Sequence, residues 1–267
     1  MKTTLKYITL LLMFSSCEKV IDFPLTNTAP EPIIEAQIKN PSATATLKLS
    51  MSQNYYSTEP CQMITNASAW LTWGDTNRIE LEEINPGYYS ATNPGIHENE
   101  TYFLNLEMDG KSYQAESYMP FHTTIDSVYY IYSSKTLFAP EGFRVWAIFN
   151  DPPEKGNYFR LQLFVNNVCV TNGVIYLWCD DETNGKTVQY IFYQNALNSS
   201  DRFRVELWAI DKESYEYYRE LQGVISNNNG TQLAAPANPV NNFSDNVLGN
   251  FSAISVYSTR EFQIHDN

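Results

Sequence analysis

From residue 33 onward, apolar and polar positions alternate with a period of two. "IIEAQI", "ATLKLS", "SAWLTW", "RIELEEI" and "GYYSAT" are short runs rich in β-branched and aromatic residues, separated by turn signals such as "WGDTN" and "NPG". This pattern predicts half-buried β-strands joined by tight turns. "TYFLNLEMDGKSYQAESY" (101–118) is the clearest case: Tyr102, Leu104 and Leu106 alternate with polar neighbours, and Asp109-Gly110 suits the positive φ angles of a hairpin turn. Met119-Pro120 closes this first unit. A second begins at "IDSVYYIY" (125–132) and continues through "FRVWAIF", "YFRLQLFV", "VIYLW", "VQYIFY" and "FRVELWAI". In the last run Phe203, Val205, Leu207 and Ala209 share one face, and Arg204, Glu206 and Trp208 the other.

One segment departs from period two. Asp211 is a good N-cap, "KESYEYYRELQ" has helix-compatible composition, Tyr215, Tyr218 and Leu221 form a stripe, and Gly223 can end the helix. "SNNNGTQLAAPANPVNN" (226–242) has no periodicity and predicts a long loop; "FSAISVY" and "EFQIH" predict closing strands. The expected architecture is all-β: two antiparallel β-sandwich (Ig-like) domains over 33–120 and 121–267, the second carrying one short α-helix at 212–222.

The first 32 residues lie outside this pattern. Lys2 and Lys6 precede the apolar run Tyr7–Phe14, which is shorter than the ~20 residues needed to cross a bilayer. Ser15-Ser16-Cys17 follows, the small-small-Cys arrangement of a bacterial lipoprotein signal, although Phe14 stands where Leu is usual. Residues 1–16 are therefore expected to be a signal peptide and Cys17 the lipidated residue. An ordinary secretory signal with a chance cysteine is the alternative. Acyl chains on Cys17 would hold the chain at a membrane, each buried CH₂ contributing ~0.8 kcal/mol. Residues 17–32, with the Pro- and Thr-rich "DFPLTNTAPEP", read as a tether.

Charge narrows the partners. Removing residues 1–16 takes away two lysines and no acid, leaving 15 basic against 30 acidic residues and a formal charge of −15. Such a surface, without a basic block, argues against nucleic acid or anionic lipid. The anchor alone is expected to touch the membrane. Beyond Cys17 stand Cys61, Cys169 and Cys179, an odd number that leaves at least one thiol free or paired between molecules. Cys169 and Cys179 flank the turn-rich "VTNG" and could form a disulfide across a hairpin. Three isolated histidines (His97, His122, His265) give no zinc-ligand cluster, and neither a metal nor a cofactor is expected.

The chemistry is sparse. No G-x-S-x-G, H-E-x-x-H, P-loop or G-x-G-x-x-G occurs, so no catalytic residue is assigned and the chain is not read as an enzyme. In "DDETNG" (180–185), Asp180, Glu182, Asn184 and Gly185 match positions 1, 3, 5 and 6 of a calcium loop, but Ile191 replaces the bidentate Glu at position 12. A polar hairpin turn is the favoured reading, with calcium the alternative. Among tyrosine-rich stretches, "QNYYS" (53–57) is the best partner-binding candidate, because Tyr55 and Tyr56 fall in a loop where core packing does not account for them.

"CEKVIDF", "PIIEAQI", "NPGYYSAT", "ETYFLNLEMDGKSYQAESYMP", "IDSVYY", "IDKESYEYYRELQ" and "NVLGNFSAIS" occur in this order along the chain. Together they resemble an uncharacterised lipoprotein family of Bacteroidota, a domain of unknown function. Its members usually carry a "GLGxF" phrase near the end. Here Leu248, Gly249 and Phe251 are kept, and Val247 stands in place of the first glycine. The resemblance implies an outer-membrane lipoprotein encoded beside a SusC-like TonB-dependent transporter and acting as its non-catalytic accessory or binding subunit. Glu18 resembles the acidic export signal that sends such lipoproteins to the cell exterior. Asp126-Ser127-Val128 resembles the O-glycosylation acceptor of that phylum, although a strand start explains it equally well. A free-standing adhesin or glycan-binding module is the alternative function.

Overall fold

The computed structural model describes residues 29–54, 57–92, 94–137, 139–171, 173–181, 184–227, 238–245 and 247–265. Pro32–Asn40 (β1) and Thr44–Met51 (β2) form the first hairpin. Ile34, Ala36 and Ile38 on β1, with Ala45, Leu47 and Leu49 on β2, point inward and are buried. Glu35, Gln37, Lys39 and Lys48 take the other face, as the two-residue period of a strand requires. Ser68–Trp73 (β3), Asn77–Asn85 (β4), Tyr88–Thr92 (β5), Glu100–Met108 (β6) and Lys111–Met119 (β7) extend the sheet in the order β1-β2-β5-β4-β3-β6-β7. A register shift on β4 between Glu83 and Asn85 bends the ribbon. The β3-β6-β7 layer then packs its Leu71, Tyr102, Leu104, Leu106 and Ala115 against the apolar face of β1 and β2.

The second unit comprises Ile125–Ser133 (β8), Gly142–Asn150 (β9), Tyr158–Val165 (β10), Val168–Cys169 (β11), Tyr176–Cys179 (β12), Thr187–Ile191 (β13) and Arg202–Ile210 (β14). A three-stranded sheet, β13-β9-β8, covers the layer built on β10 and β14. Val145, Ala147 and Phe149 from the first sheet meet Phe159, Leu161, Leu163, Val205 and Leu207 from the second.

Helix Lys212–Asn227 (α1) is capped by Asp211, whose Oδ1 accepts from Ser214 N at 2.8 Å. It covers the outward Trp208 and Ile210 through Tyr215 and Tyr218. The helix runs five residues beyond its expected end at 222. A Cβ on Gly223 would meet nothing within 4 Å, so this glycine sits in the helix without a clash. Gln222 also ties this stretch down, accepting from Ile175 N and donating to Ser226 Oγ at 2.9 Å. No helix among the described residues is long and apolar enough to cross a membrane.

The strand Leu248–Ser258 (β15) reorganises the expected division at 120/121. Its first part runs parallel to β1, from Ile33↔Leu248 to Asn40↔Ser255, whereas its last part runs antiparallel to β14, from Ala209↔Ser255 to Glu206↔Ser258. Phe262–Gln263 (β16) adds to β14. One sheet thus continues as β11-β10-β14-β15-β1-β2-β5-β4-β3-β6-β7. Val247, Phe251 and Ala253 belong to the first core, although the sequence places them at the end of the second unit. Asn242 stitches β7 to β15: its Nδ2 donates to Glu116 O and Phe251 O, and its Oδ1 accepts from Phe251 N.

Two further expectations are corrected. Cys169 on β11 and Cys179 on β12 do not face each other. Both strands pair with β10, at Phe164 and Tyr158 respectively, so six residues of extended strand, ~20 Å, separate them. That is too far for a disulfide, and both thiols are free. The 180–185 stretch, of which Glu182 and Thr183 lie outside the described residues, is not the expected hairpin turn either, since β12 pairs with β10 and β13 with β9. It crosses from one sheet to the other.

Candidate functional site

The shared sheet presents an outward face that β1, β2, β15, β14 and β10 build together, with α1 lying across it. Two cavities open there. One, of about 460 Å³, lies beside α1 and is lined by Glu35, Lys48, Tyr88, Arg160, Tyr217 and Asn250. The other, of about 1120 Å³, lies at the far end and is lined by Lys39, His97, Glu98, Phe121, His122 and Glu206.

Between them the basic side chains of this acidic chain gather on aromatic rings. Lys39 Nζ stands 3.9 Å above the centre of the Trp208 ring. The Arg160 guanidinium lies 5.2 Å from the same ring and 4.2 Å from that of Tyr218. With the Gln162 amide turned so that its nitrogen donates to Thr171 Oγ1, its oxygen accepts from Arg160 at 2.8 and 3.0 Å. Arg204 sits 3.7 Å over Phe164 and pairs with Glu206, whose other oxygen accepts from Trp208 Nε1 at 2.8 Å. Lys48 pairs with Glu35 at 2.6 Å. Among the described residues, Lys39 and Arg160 have no carboxylate at ion-pair distance. Burial lowers the Lys39 ammonium to about 8; Glu206 pulls it back up and Arg160 pushes it further down. The ring quadrupoles favour the cations, yet a positive surplus remains at the centre of the groove.

The far end is differently built. His122 Nδ1 lies 2.9 and 3.1 Å from the Glu98 oxygens, and Asn40 Nδ2 donates to Glu98 Oε1 at 3.4 Å. Phe121, on the connection between the units, is 65% exposed beside them. The groups in the groove are engaged with ions, amides or rings, an arrangement suited to holding a ligand bearing anionic groups.

Of the residues singled out from sequence, Cys17, Tyr55 and Tyr56 lie outside the described residues, as does 228–237 of the long loop. The tyrosine loop is pinched by Gln53, which donates to Glu59 O and Pro60 O at 3.0 and 2.8 Å. The end of the long loop is fastened to β7 by Ser244 N donating to Gln114 O at 2.7 Å. In "GYYS", Tyr89 is core, its hydroxyl accepting from Ala67 N at 3.0 Å, while Tyr88 lines the groove. Ser127 is exposed on β8. Sequence reasoning did not assemble Lys39, Arg160 and Trp208. The available signal was a Trp and several arginines at outward strand positions of a chain poor in basic residues.

A family model, "Domain of unknown function (DUF4249)", matches residues 18–260. The chain belongs to the DUF4249 family. The match takes in every element that builds the groove of this DUF4249 chain, from β1 to β15. No curated protein matches it. Among solved structures it is similar to the chicken CNTN1 FN1-FN3 domains, with 12% identity over 69% of this chain, 61% of that one and a TM-score of 0.27. It is also similar to a two-domain fibronectin type-III segment of chicken tenascin, with 13% identity over 68% of this chain, 91% of that one and a TM-score of 0.21. The DUF4249 chain thus spans about three-fifths of the CNTN1 fragment.

Proposed function

We propose that this chain is a surface-exposed outer-membrane lipoprotein, anchored through Cys17, that serves as a non-catalytic binding subunit of a TonB-dependent transporter. The observation that carries the binding role is the groove: Lys39 and Arg160 crowd onto the Trp208 ring without a carboxylate partner among the described residues, poised to take an anionic group of a cargo molecule. Anchoring rests on Lys2, Lys6, the apolar run and Ser15-Ser16-Cys17. The resemblance stated above supplies the transporter. The test is a mild-detergent pull-down of the tagged full-length protein from its native outer membrane, followed by mass spectrometry. A stoichiometric β-barrel transporter is the expected companion, and Cys17→Ala is expected to abolish palmitate labelling and membrane fractionation. Recovery of the protein alone, under conditions that preserve known transporter–lipoprotein pairs, would sink the accessory role. A free-standing adhesin or glycan-binding module is the second reading, favoured by Tyr88 and Tyr217 at the groove wall. Glycan-array binding without a co-purifying transporter would select it.

A further inference from the structure

Two connections cross between the sheets of the second unit at the same end. Residues 151–157 join β9 to β10, and 180–186 join β12 to β13. They are interlocked by backbone and side-chain bonds. Asp151 N donates to Lys186 O at 3.1 Å and Asp180 N to Asn157 O at 3.3 Å. Gly185 N donates to Asp151 Oδ2 and Gly156 N to Asp180 Oδ2, at 2.9 and 2.8 Å. Asn184 Nδ2 donates to Pro153 O at 2.9 Å, which fixes its Oδ1 as the free end of the amide.

Asp151 and Asp180 are each only 4% exposed. Among the described residues neither has an ion-pair partner. Asp151 Oδ1 and Asn184 Oδ1 are buried with no hydrogen-bond partner among the described residues. The two carboxylates are close enough for the Asp180 charge to act on Asp151, whose carboxyl is raised first by burial and then by that neighbour. Unpartnered buried oxygens and like charges are costly unless a cation joins them. Among the described residues no group of three His, Cys, Asp or Glu side chains converges. The donors on offer are the carboxylates of Asp151 and Asp180 and the Asn184 amide oxygen, the oxygen-only chemistry of a hard, flexible-coordination ion.

We propose that Asp151, Asp180 and Asn184 bind Ca²⁺ between the two cross-sheet connections, pinning the layers of the second sandwich together. The site differs from the calcium loop considered from sequence, because its key ligand, Asp151, comes from another connection and no twelfth-position Glu is needed.

The test uses the full-length protein in detergent, with Tb³⁺ luminescence sensitised by Trp178 or Tyr158 and thermal unfolding in EGTA against about 5 mM Ca²⁺, above the millimolar range of extracellular sites. Saturable luminescence displaced by Ca²⁺, with a Tm raised by several degrees, is expected. Asp151→Asn should weaken Tb³⁺ binding at least tenfold and remove the Ca²⁺-dependent shift. In EGTA it should be no less stable than the parent, because Asn keeps an acceptor for Gly185 N and removes a buried charge without an ion-pair partner among the described residues. Asn184→Ala, at a partly exposed position, is the second variant and should also lose the shift. No Ca²⁺ effect on the parent, as for a protonated Asp151 bonded to the Asn184 amide, overturns the proposal. So does a Ca²⁺ shift that survives in both variants.

Discussion

Ile34 O lies where any side chain on Gly249 would have to begin. A Cβ there would stand 2.0 Å from that oxygen, and the residue has a φ of +106°. Close parallel pairing of β1 and β15 therefore needs glycine at 249, both for space and for a backbone conformation other residues rarely adopt. Gly249→Ala is expected to cost at least about 3 kcal/mol, the combined toll of strain and a displaced strand. Urea unfolding of the purified protein measures it; a loss under 1 kcal/mol would show that the pairing can shift at little expense. The importance of Leu248-Gly249 was visible in the sequence as a phrase, but its reason was not, because the clashing atom belongs to a residue 215 positions earlier.

At the scale of elements, Asp211 does more than begin a helix. Its Oδ1 caps α1, while its Oδ2 accepts from Ser117 Oγ at 2.5 Å and from Tyr118 N at 3.0 Å on β7. Ser117 Oγ in turn accepts from Ala253 N of β15 at 2.8 Å. One carboxylate thus joins the helix to both units. Asp211→Ala removes a cap worth about 1 kcal/mol and leaves buried donors on β7 unpaired at about 1–3 kcal/mol. A loss of roughly 2–4 kcal/mol in denaturant unfolding is expected; a loss confined to the cap value would mean that water replaces the β7 bonds freely. The cap itself was legible, since Asp before a helical stripe has a local meaning. So was the 101–118 hairpin, where Asp109 and Gly110 take φ values of 50° and 72°. Strand partners were not legible. Period two shows which side chains point together, but not that β15 lies beside β1, nor that β12 and β13 sit in different sheets. Lys39 and Trp208 share a groove only through that pairing, so the site was invisible for the same reason as the topology.

For the whole molecule, the shared strand makes the two cores interdependent. Phe251 and Ala253 fill the first, Ile254 lies under the helix, and the strand's end pairs with β14. The protein is expected to unfold as one cooperative transition. Native-state hydrogen exchange should give the amides of β3 and β10 the same opening free energy; two separated values would show independent domains. The pairing also sets an order of events at birth. Ribosomes and secretion channels deliver a chain from its N-terminus, yet β1 waits for a neighbour that emerges some 210 residues later. Until then its edge hydrogen bonds are open and the first core lacks Phe251, the condition in which strands recruit the wrong partner. A chain that stops before Leu248 is therefore expected to lose the first half of the fold as well as the last. Whatever delivers the chain, the first core stays incomplete until β15 has followed it.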